Sequence, residues 1–307
     1  MKIVVLGSLN MDLVTNVPTL PRVGETVSGT SFRTTPGGKG ANQAVAAKRL
    51  GASVSMIGQV GDDIYGTELL KSLRSEGVSV ENVSVSHGTH TGVALIGVED
   101  SGLNSITAVY GANMAESAAY EESIRQSVSD ADVLLLQNEI PHRYNLIAAE
   151  EARENDSVII WDPAPVREGA VDLASIATLI TPNEHEIVPF IDESEIIVAD
   201  IESALELSLK INKSFSVIPI ITLGEMGAVF VDKGETHAQE ARSVVAVDSV
   251  GAGDAFSGAL AVGISEGMTL SEAVRFASLA GSICVQRRGA QVSMPTREEV
   301  DALLLGF

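Results

Sequence analysis

Cysteine is nearly absent from this sequence: Cys284 is the only one in 307 residues. A single thiol cannot form an intrachain disulfide framework or a metal site that needs several thiolates. We expect Cys284 to be a small buried residue. A chain without disulfides suits a reducing compartment, so we predict a cytoplasmic location.

Basic residues are also scarce. The chain carries 20 lysines and arginines against 41 aspartates and glutamates, for a formal net charge of −21. Nucleic acids and anionic membranes are bound through basic patches, so we expect neither as a partner. Any site for an anionic nucleotide must build its positive potential locally.

Long apolar runs are missing as well. Hydrophobic residues make up 45% of the chain, enough for a sizeable core. No run approaches the roughly 20 residues that cross a bilayer. Met1–Gly7 is too short and too soon interrupted for a secretory signal, and the histidines show no metal-ligand spacing. We therefore expect neither a signal peptide, nor a membrane span, nor a histidine metal centre.

What the sequence does contain is an alternation of strand-like and helix-like segments. Short apolar runs such as Ile3–Leu6 and Val133–Gln137 are typical of buried parallel strands. Helical segments such as His142–Glu154 follow them, which predicts a mainly parallel sheet covered on both faces. The other predicted strands are 54–60, 158–161, 179–181, 218–223, 227–231 and 237–247. The other predicted helices end at Arg49 or span 65–76, 201–213, 255–264, 271–285 and 297–305.

Two regions, about residues 12–35 and 90–110, interrupt the alternation. Glu25–Phe32 alternates weakly, and Thr91–Glu99 is followed by a turn and a second strand-like run, Asn104–Tyr110. We predict that these regions form a small sheet over the ends of the main strands. No linker or repeat divides the chain, so residues 1–307 are predicted to be one domain with this small sheet inserted.

The segment Asp248–Gly258 is the feature around which the chain is organised. It follows the alternating residues Val244–Val247, which indicate the end of a strand, and leads into the predicted helix Ala255–Ile264. Gly251 and Gly253 therefore lie at a strand-to-helix turn. The unpaired N–H groups and dipole of a helix start can bind an anion such as a transferring phosphoryl group.

Asp254 lies directly after this turn. A carboxylate beside a phosphate is repulsive unless it faces the incoming hydroxyl and accepts its proton. The ordinary alternative is that Asp254 caps the helix. The sequence of this segment alone leaves both interpretations open.

Other polar residues follow the predicted strands, at the edge where parallel sheets bind ligands. Each has an ordinary alternative as a turn residue, a helix cap or a surface carboxylate. Neither a Gly-x4-Gly-Lys-Ser/Thr phosphate loop nor a Gly-x-Gly-x-x-Gly motif after the first strand is present. The residues concerned are Asn10, Asp12, Glu139, Asn183, Glu186 and Thr222–Gly227.

Three motifs, taken together and in order, resemble the signatures of the ribokinase-like carbohydrate kinases. They are Gly37–Ala44, Asn183–Glu186 and Asp248–Phe256, and the resemblance covers nearly the whole chain. Gly7–Asp12 and Arg288–Gln291 are more similar to the ribose-phosphorylating members than to fructose or adenosine kinases. The fold that the resemblance implies is α/β, a doubly wound and mainly parallel sheet with a small β lid.

The activity that the resemblance implies is ATP-dependent phosphorylation of D-ribose at the 5-hydroxyl, giving ribose 5-phosphate and ADP. The alternatives are a kinase of fructose, of a nucleoside such as adenosine or of a keto-deoxy sugar acid, or a non-catalytic sugar sensor on the same fold. Asp12 and Glu139 argue against a substrate that carries a carboxylate. The intact glycine turn and Asp254 argue against a sensor.

The resemblance also implies roles for single residues. Asp254 would be the general base, and Gly251, Ala252 and Gly253 would form an anion hole of N–H groups for the γ-phosphate. The sugar would be held by Asn10, Asp12, Gly38, Lys39, Asn42, Glu139 and Asp254. The nucleotide would be bound by Asn183, Thr222, Gly224, Gly227, Gly253 and Ser278.

Two cations and a second subunit belong to the same expectation. Glu186 would organise the Mg²⁺ that accompanies ATP, with a water molecule between the carboxylate and the cation. An activating K⁺ would lie beside the anion hole, held largely by main-chain oxygens. Its implied ligands are Asp248, Val250, Cys284, Arg287, Gly289 and Ser293. A homodimer would form through the β lid.

Two positions depart from the family pattern. Val250 stands where many relatives carry threonine or another small polar residue, which leaves a main-chain role intact and removes a side-chain hydroxyl role. Asp162 stands where asparagine is common, and it could shift the charge near the nucleotide.

Overall fold

The structure is a computed structural model that describes residues 2–167, 169–191, 198 and 200–306. Its strands are β1 Lys2–Leu6, β2 Asn10–Val17, β3 Ser31–Gly37, β4 Ser53–Gly61, β5 Ser79–Ser86, β6 Gly92–Glu99, β7 Asn104–Val109, β8 Val133–Leu136, β9 Val158–Trp161, β10 Leu179–Ile180, β11 Ile218–Thr222, β12 Ala228–Asp232 and β13 Glu235–Gln239. Its α-helices are α1 Lys39–Arg49, α2 Ile64–Ser75, α3 Ala118–Val128, α4 His142–Glu154, α5 Ile201–Phe215, α6 Ala252–Ser265, α7 Leu270–Cys284 and α8 Arg297–Leu305.

Nine strands form the large sheet, in the order β13-β12-β11-β10-β9-β8-β1-β4-β5. Every pairing from β11 to β5 is parallel, and only β12 and β13 are antiparallel to their neighbours. Strand order runs outward in both directions from β1, so the sheet is doubly wound. The predicted fold class is confirmed.

The large sheet is buried on both faces, which explains the continuous apolar runs in its strands. In β1, Ile3 and Val5 belong to one core, and Val4 and Leu6 belong to the other. The first core is shared with α1, α2, α6, α7 and α8, and the second with α3, α4 and α5. Alternate side chains of one strand therefore join two helical layers.

Four strands form a smaller sheet in the order β3-β2-β6-β7. β2 and β6 are parallel, and the two edge strands are antiparallel to them. Asn10 and Asp12 are part of β2, opposite Gly37 and Thr35 of β3. The small sheet therefore begins close to where β1 ends, and it carries two predicted sugar-binding side chains.

Some local predictions are wrong. Residues 240–247 have no regular structure, although strand 237–247 was expected. Val245 and Val247 are 84% and 53% exposed, and no strand in the described part of the chain pairs with these β-branched residues. In the region expected to be strand over 25–32, β3 begins only at Ser31, and α6 begins at Ala252 rather than at 255. Sequence patterns also missed β5 and α3.

No helix in the described parts of the chain is long and apolar enough to cross a membrane.

Candidate active site

Asp254 lies in the first turn of α6, whose N-cap is Gly251. Gly251 has φ 81°, in the left-handed region that glycine adopts without strain. The helix-cap interpretation of Asp254 is therefore wrong. Its side chain, in a residue only 5% exposed, instead accepts hydrogen bonds from Asn42 Nδ2 at 2.8 Å and Gln43 Nε2 at 3.2 Å.

The close packing of α6 on α1 makes this contact possible. Gly258 faces Ala46, and a methyl group at Gly258 would lie 2.7 Å from the Cβ of Ala46. The absence of a side chain allows the two helices to approach until Asn42 and Gln43 reach Asp254. The first N–H groups of α6 lack acceptors within the helix, so they are suited to bind an anion. That of Ala252 donates to the Ser249 carbonyl oxygen at 3.2 Å.

A second buried carboxylate lies beside Asp254. Asp162, in the loop after β9, is 4% exposed and accepts from the same Gln43 Nε2 at 3.0 Å. Lys39 Nζ lies 3.6 Å from Asp162 Oδ2. Gln137, at the end of β8, donates to Gln43 Oε1 at 2.7 Å and thereby turns the amide nitrogen of Gln43 toward the two carboxylates.

Burial raises the pKa of Asp254 to about 7; Lys39 opposes this rise and Asp162 adds to it. Burial likewise raises the pKa of Asp162, against the pull of the Lys39 ammonium. For Lys39, burial lowers the pKa, but the carboxylates around it outweigh burial, Asp162 foremost, and the pKa lies above its ordinary value. The site therefore holds one ammonium among several acids, and Asp254 is poised to exchange a proton near neutral pH.

The sugar-binding candidates form the other end of this cluster. Glu139 Oε2 accepts from the Lys39 N–H at 3.0 Å, from Asn10 Nδ2 at 3.4 Å and from the Ser8 hydroxyl. Asn10 Oδ1 accepts in turn from Asn113 Nδ2 at 2.8 Å. Glu139 is half-buried rather than the surface carboxylate that its position after a strand would suggest.

Asp12 is 8% exposed, and burial, with repulsion from Glu139 and Asp254, raises its pKa to about 7. That coupling places β2 of the small sheet within electrostatic reach of α6 of the large one. Asn42 Oδ1 is buried and has no hydrogen-bond partner among the described residues. A carbonyl oxygen of this kind, next to Asp254, is suited to accept from a bound hydroxyl group. Gly38, also predicted to contact the sugar, is the residue immediately before α1.

Several of these residues were not assigned by the sequence. Gln43 lies inside the Gly37–Ala44 motif and Ser8 inside Gly7–Asp12, so motif membership was a usable signal for both. Asp162 was noticed only as a departure from the family pattern. Asn113 belongs to no motif, and nothing in the sequence indicated its contact with Asn10.

The nucleotide candidates lie past β10 and β11. Asn183 Oδ1 accepts from the Glu186 N–H at 2.9 Å, and Glu186 Oε2 accepts from the Asn183 N–H at 3.0 Å. Asn183 also forms a parallel bridge with Thr222, which brings the two strand ends together. Gly224 and Gly227 follow Thr222 in a short turn.

Ser278 lies on α7, which packs beside β12 and β13. Its Oγ is buried and has no partner among the residues that the structure describes. Within the same residues, no group of three or more His, Cys, Asp or Glu side chains is placed to hold a metal ion alone. Glu186 nevertheless adds to the rise in the pKa of Asp162, so its carboxylate lies within electrostatic reach of the acidic cluster.

The potassium candidates gather behind the glycine turn. Asp248 Oδ1 accepts from the Val250 N–H at 3.1 Å, and Asp248 Oδ2 accepts from the Gly289 N–H at 2.9 Å. The Sγ of Cys284 lies 3.0 Å from Ser293 Oγ and 3.9 Å from the Val250 carbonyl oxygen. Burial raises the pKa of the Cys284 thiol to about 11, so it stays neutral.

Arg287 is the exception in this group, since its side chain pairs with Glu299 of α8 and not with Asp248. Asp248 therefore acts on the turn through main-chain N–H groups. The two loops that it joins, 248–251 and 285–293, carry the carbonyl oxygens that the cation expectation requires.

A buried carboxylate in the first turn of a helix, with polar side chains suited to hydroxyl groups on one side and the ends of β10 and β11 on the other, is the arrangement expected of a carbohydrate kinase. Comparison with known proteins leads to the same class of protein. Residues 1–297 match the model of the pfkB family carbohydrate kinases, and the chain belongs to that family.

Individual relatives sharpen this assignment. The chain is 41% identical over 305 residues to a ribokinase of Bacillus subtilis, covering 98% of this chain and 99% of the relative. It is 39% identical over 304 residues to a ribokinase of Lactococcus lactis, covering 99% and 97%. The structure of an Arabidopsis thaliana ribokinase complexed with ribose and ATP matches with a TM-score of 0.87 and 32% identity over 98% of each chain.

Proposed function

We propose that this protein transfers the γ-phosphoryl group of ATP to the 5-hydroxyl of D-ribose, producing ribose 5-phosphate and ADP. The observation that carries the proposal is Asp254, a buried carboxylate held by two side-chain amides in the first turn of α6. The substrates follow from the relatives, which are ribokinases at 39–41% identity over nearly the whole chain.

Asp254 is the general base in this proposal. A carboxyl group with a pKa of about 7 is ionised in a large fraction of molecules near neutral pH, and it is still basic enough to accept a proton from a hydroxyl under attack. Hydrogen bonds from Asn42 and Gln43 fix its orientation before the sugar arrives. Fixed orientation lowers the entropy cost of reaching the in-line geometry.

The N–H groups of Gly251, Ala252 and Gly253 are proposed to stabilise the transferring phosphoryl group. Charge spreads over its equatorial oxygens as transfer proceeds, and fixed N–H dipoles at a helix start stabilise that charge. No side chain competes for the space at Gly253, where a Cβ would meet no atom within 4 Å. A phosphate can therefore approach the backbone there.

The sugar is proposed to lie between β2 and α1, held by Asn10, Asp12, Asn42 and Glu139 together with the Gly38–Lys39 backbone. Ribose presents hydroxyl groups that both donate and accept, and carboxylate and amide groups match them at fixed angles. The unpartnered Asn42 Oδ1 supports this placement. Asp12 and Glu139 would repel an acid sugar, which disfavours the keto-deoxy acid alternative.

ATP is proposed to bind along the ends of β10 and β11, with Asn183 near the phosphates. Thr222, Gly224 and Gly227 would line the nucleotide, and the free hydroxyl of Ser278 would face the adenine. Glu186 is suited to organise Mg²⁺ through water, because its carboxylate is held by the Asn183 N–H and lies within electrostatic reach of the acidic cluster. When bound with ATP, Mg²⁺ neutralises phosphate charge.

Potassium is proposed to bind behind the turn, at Asp248, Val250, Cys284, Arg287, Gly289 and Ser293. Main-chain carbonyls, a carboxylate and a hydroxyl form a hard oxygen donor set, which fits such a cation. Cys284 and Arg287 can take part only through their carbonyl oxygens, since one side chain is a neutral thiol and the other pairs with Glu299. Asp248 holds both loops, so a bound cation would brace the anion hole.

A homodimer through the small sheet is proposed because that sheet leaves large apolar side chains in solvent. Phe32, Leu95 and Ile106 are 65%, 49% and 51% exposed. Light scattering should report a dimer for the wild type and a monomer for the double variant Phe32→Glu, Ile106→Glu. The exposed Val245 lies outside this sheet, so Val245→Glu is the control that should remain dimeric.

A cytoplasmic location is proposed on the single cysteine alone.

The test of the proposed function is ADP release with D-ribose, D-fructose, adenosine, inosine and a keto-deoxy sugar acid, each with Mg·ATP and potassium. D-Ribose should have the highest kcat/KM, and the product should be the 5-phosphate by NMR. If only the nucleosides are turned over, the protein is a nucleoside kinase and the ribose proposal is wrong. No turnover with any acceptor, together with calorimetric binding of ribose, would favour the sensor alternative.

A further inference from the structure

Gln43 is the residue of this site whose contacts exceed what binding a sugar requires. It is fully buried, and its amide nitrogen lies between two carboxylates, 3.2 Å from Asp254 Oδ1 and 3.0 Å from Asp162 Oδ2. Gln137 fixes the other end of the amide by donating to Gln43 Oε1. A single NH₂ group therefore ties the proposed base to a second acid.

We propose that Gln43 and Asp162 are positioning residues that set the orientation and the proton affinity of Asp254. Gln43 supplies the hydrogen bond that favours the ionised form of Asp254, and Asp162 supplies a negative charge that opposes it. This inference rests on the proposed function only for its kinetic consequence, since the coupling between the groups exists without substrate.

Four charged or titratable groups face Asp254 from the elements packed around it. Lys39 comes from the start of α1, Asp12 from β2, Asp162 from the loop after β9 and Cys284 from α7. Cys284 stays neutral, because burial raises the pKa of its thiol to about 11. Lys39 lowers the pKa of Asp254, while Asp162 raises it.

Asp162 raises the pKa of Asp254 in two ways. Its own charge repels a negative charge on Asp254. It also lies 3.6 Å from Lys39 Nζ and so neutralises part of the cation that would otherwise stabilise the ionised base. An uncharged side chain of the same shape at position 162 should therefore release Lys39 toward Asp254 and lower the proton affinity of the base.

Substitutions at these two residues should shift the pKa of Asp254 in opposite directions. Asp162→Asn keeps an oxygen that can accept from Gln43 but removes the charge, so the pKa of Asp254 should fall by about 1 unit, the usual effect of one neighbouring charge. Gln43→Met keeps the volume but cannot donate, so the pKa of Asp254 should rise. Shifts of opposite sign cannot arise from a general loosening of the fold.

The first readout needs no turnover. Protein labelled with ¹³C at the aspartate carboxyl carbons is titrated by NMR, and the Asp254 signal is assigned by its loss in Asp254→Asn. The control is Asp172→Asn, since Asp172 is an exposed carboxylate that pairs with His142. An Asp254 titration midpoint that is the same in wild type and Asp162→Asn would overturn the proposal, whatever the activity of either protein.

The second readout is the pH profile of kcat/KM for ribose at saturating Mg·ATP. The ionised base is active, so the rate rises through the pKa of Asp254, and the acidic limb should move about 1 pH unit lower in Asp162→Asn. In Gln43→Met it should move higher, and kcat at its plateau should fall about tenfold because the base is less well oriented. Unchanged profiles in both variants would also overturn the proposal.

Failure of the proposed function would look different. A wild type that ignores ribose, or an Asp254→Asn variant with the wild-type rate, would remove the kinetic argument and leave the NMR shifts unaffected. Circular dichroism at each pH identifies a variant that has lost its fold. A loosened fold would expose Asp254 and lower its pKa, so a rise in Gln43→Met decides by itself. A fall in Asp162→Asn decides when that variant also unfolds at the same denaturant concentration as the wild type.

Discussion

The nine-stranded and four-stranded sheets differ in what surrounds their apolar side chains. Leu135 in β8 is fully buried between helical layers, whereas Leu95 in β6 is 49% exposed. The large sheet has helices on both faces and two extensive cores, while the small sheet has one separate cluster around Val14, Ala94 and Ile96. The large sheet is therefore covered on both faces, and the small sheet leaves apolar side chains exposed.

Their polar side chains differ in a parallel way. The large sheet and its helices supply the groups proposed for phosphoryl transfer, above all Asp254 and the glycine turn at the start of α6. The small sheet supplies Asp12, a buried carboxylate proposed to bind the sugar. If the division is correct, changes at Asp254 and the glycine turn should act mainly on kcat, and changes at Asp12 should act mainly on sugar affinity.

The largest expected effect is on the large-sheet side. Asp254→Asn should lower kcat by about 10²–10⁴-fold, the usual contribution of a general base, and should leave the affinity for ATP nearly unchanged. The measurement is a coupled ADP assay with calorimetry for nucleotide binding. Asp172→Asn, at an exposed position, is the matched control and should retain full activity. A near wild-type kcat for Asp254→Asn would remove Asp254 as the base.

Stability gives the next contrast. Leu135→Ala should lower the free energy of unfolding by about 2–5 kcal/mol, because it leaves a cavity in a closely packed core. The same change at Leu95 should alter it by about 0.5 kcal/mol or less. Chemical denaturation at two protein concentrations separates unfolding from dimer dissociation. Equal losses at the two positions would show that the small sheet is covered in solution more fully than its exposed side chains indicate.

A third experiment addresses the small-sheet side. Asp12→Ala should weaken ribose binding about 10- to 100-fold, the value of a hydrogen bond to a charged group, and should change kcat at saturating ribose much less. Calorimetry with ribose measures the affinity, and Asp12→Asn tests whether the charge or the oxygen matters. A loss confined to kcat would place Asp12 with the catalytic groups and break the division between the sheets.

The smallest expected effect concerns the cation behind the turn. Replacing potassium with tetramethylammonium at constant ionic strength should lower kcat about tenfold in the wild type, because the N–H groups of the anion hole lose their fixed geometry. In potassium, Asp248→Ala should turn over more slowly than the wild type. Its kcat should change little when tetramethylammonium replaces potassium. Equal wild-type rates in both salts would remove potassium from the mechanism and leave the kinase assignment standing.

Much of the fold could be predicted because it depends on local patterns. The apolar run Ile3–Leu6 and the helix His142–Glu154 lie where periodicity indicated, and the glycine turn does precede a helix. The region 240–247 could not be predicted in this way. Its alternating β-branched residues form a strand only if another strand pairs with them, and pairing is decided by distant parts of the chain.

The candidate site likewise has residues that local motifs identify and contacts that only the fold creates. Motif residues such as Gly251 and Asp254 were identifiable from the sequence by chemistry and spacing. The contact between Asp254 and Asn42 spans 212 positions, and that between Gln43 and Asp162 spans 119. No local pattern contains these distances, so the sequence could not indicate that Gln43 joins two acids or that Arg287 pairs with Glu299.

The sequence by itself determined the alternation of strands and helices, the glycine turn before α6 and the excess of acid over base, because each is a property of neighbouring residues or of composition. Only the tertiary structure decided that Asp162 and Asp254 are buried near Lys39 and that Asp12 is buried within reach of Glu139 and Asp254, and hence how tightly Asp12 and Asp254 hold their protons. The physical reason is that desolvation and charge coupling depend on what surrounds a group in space, and folding brings those surroundings together from distant parts of the chain.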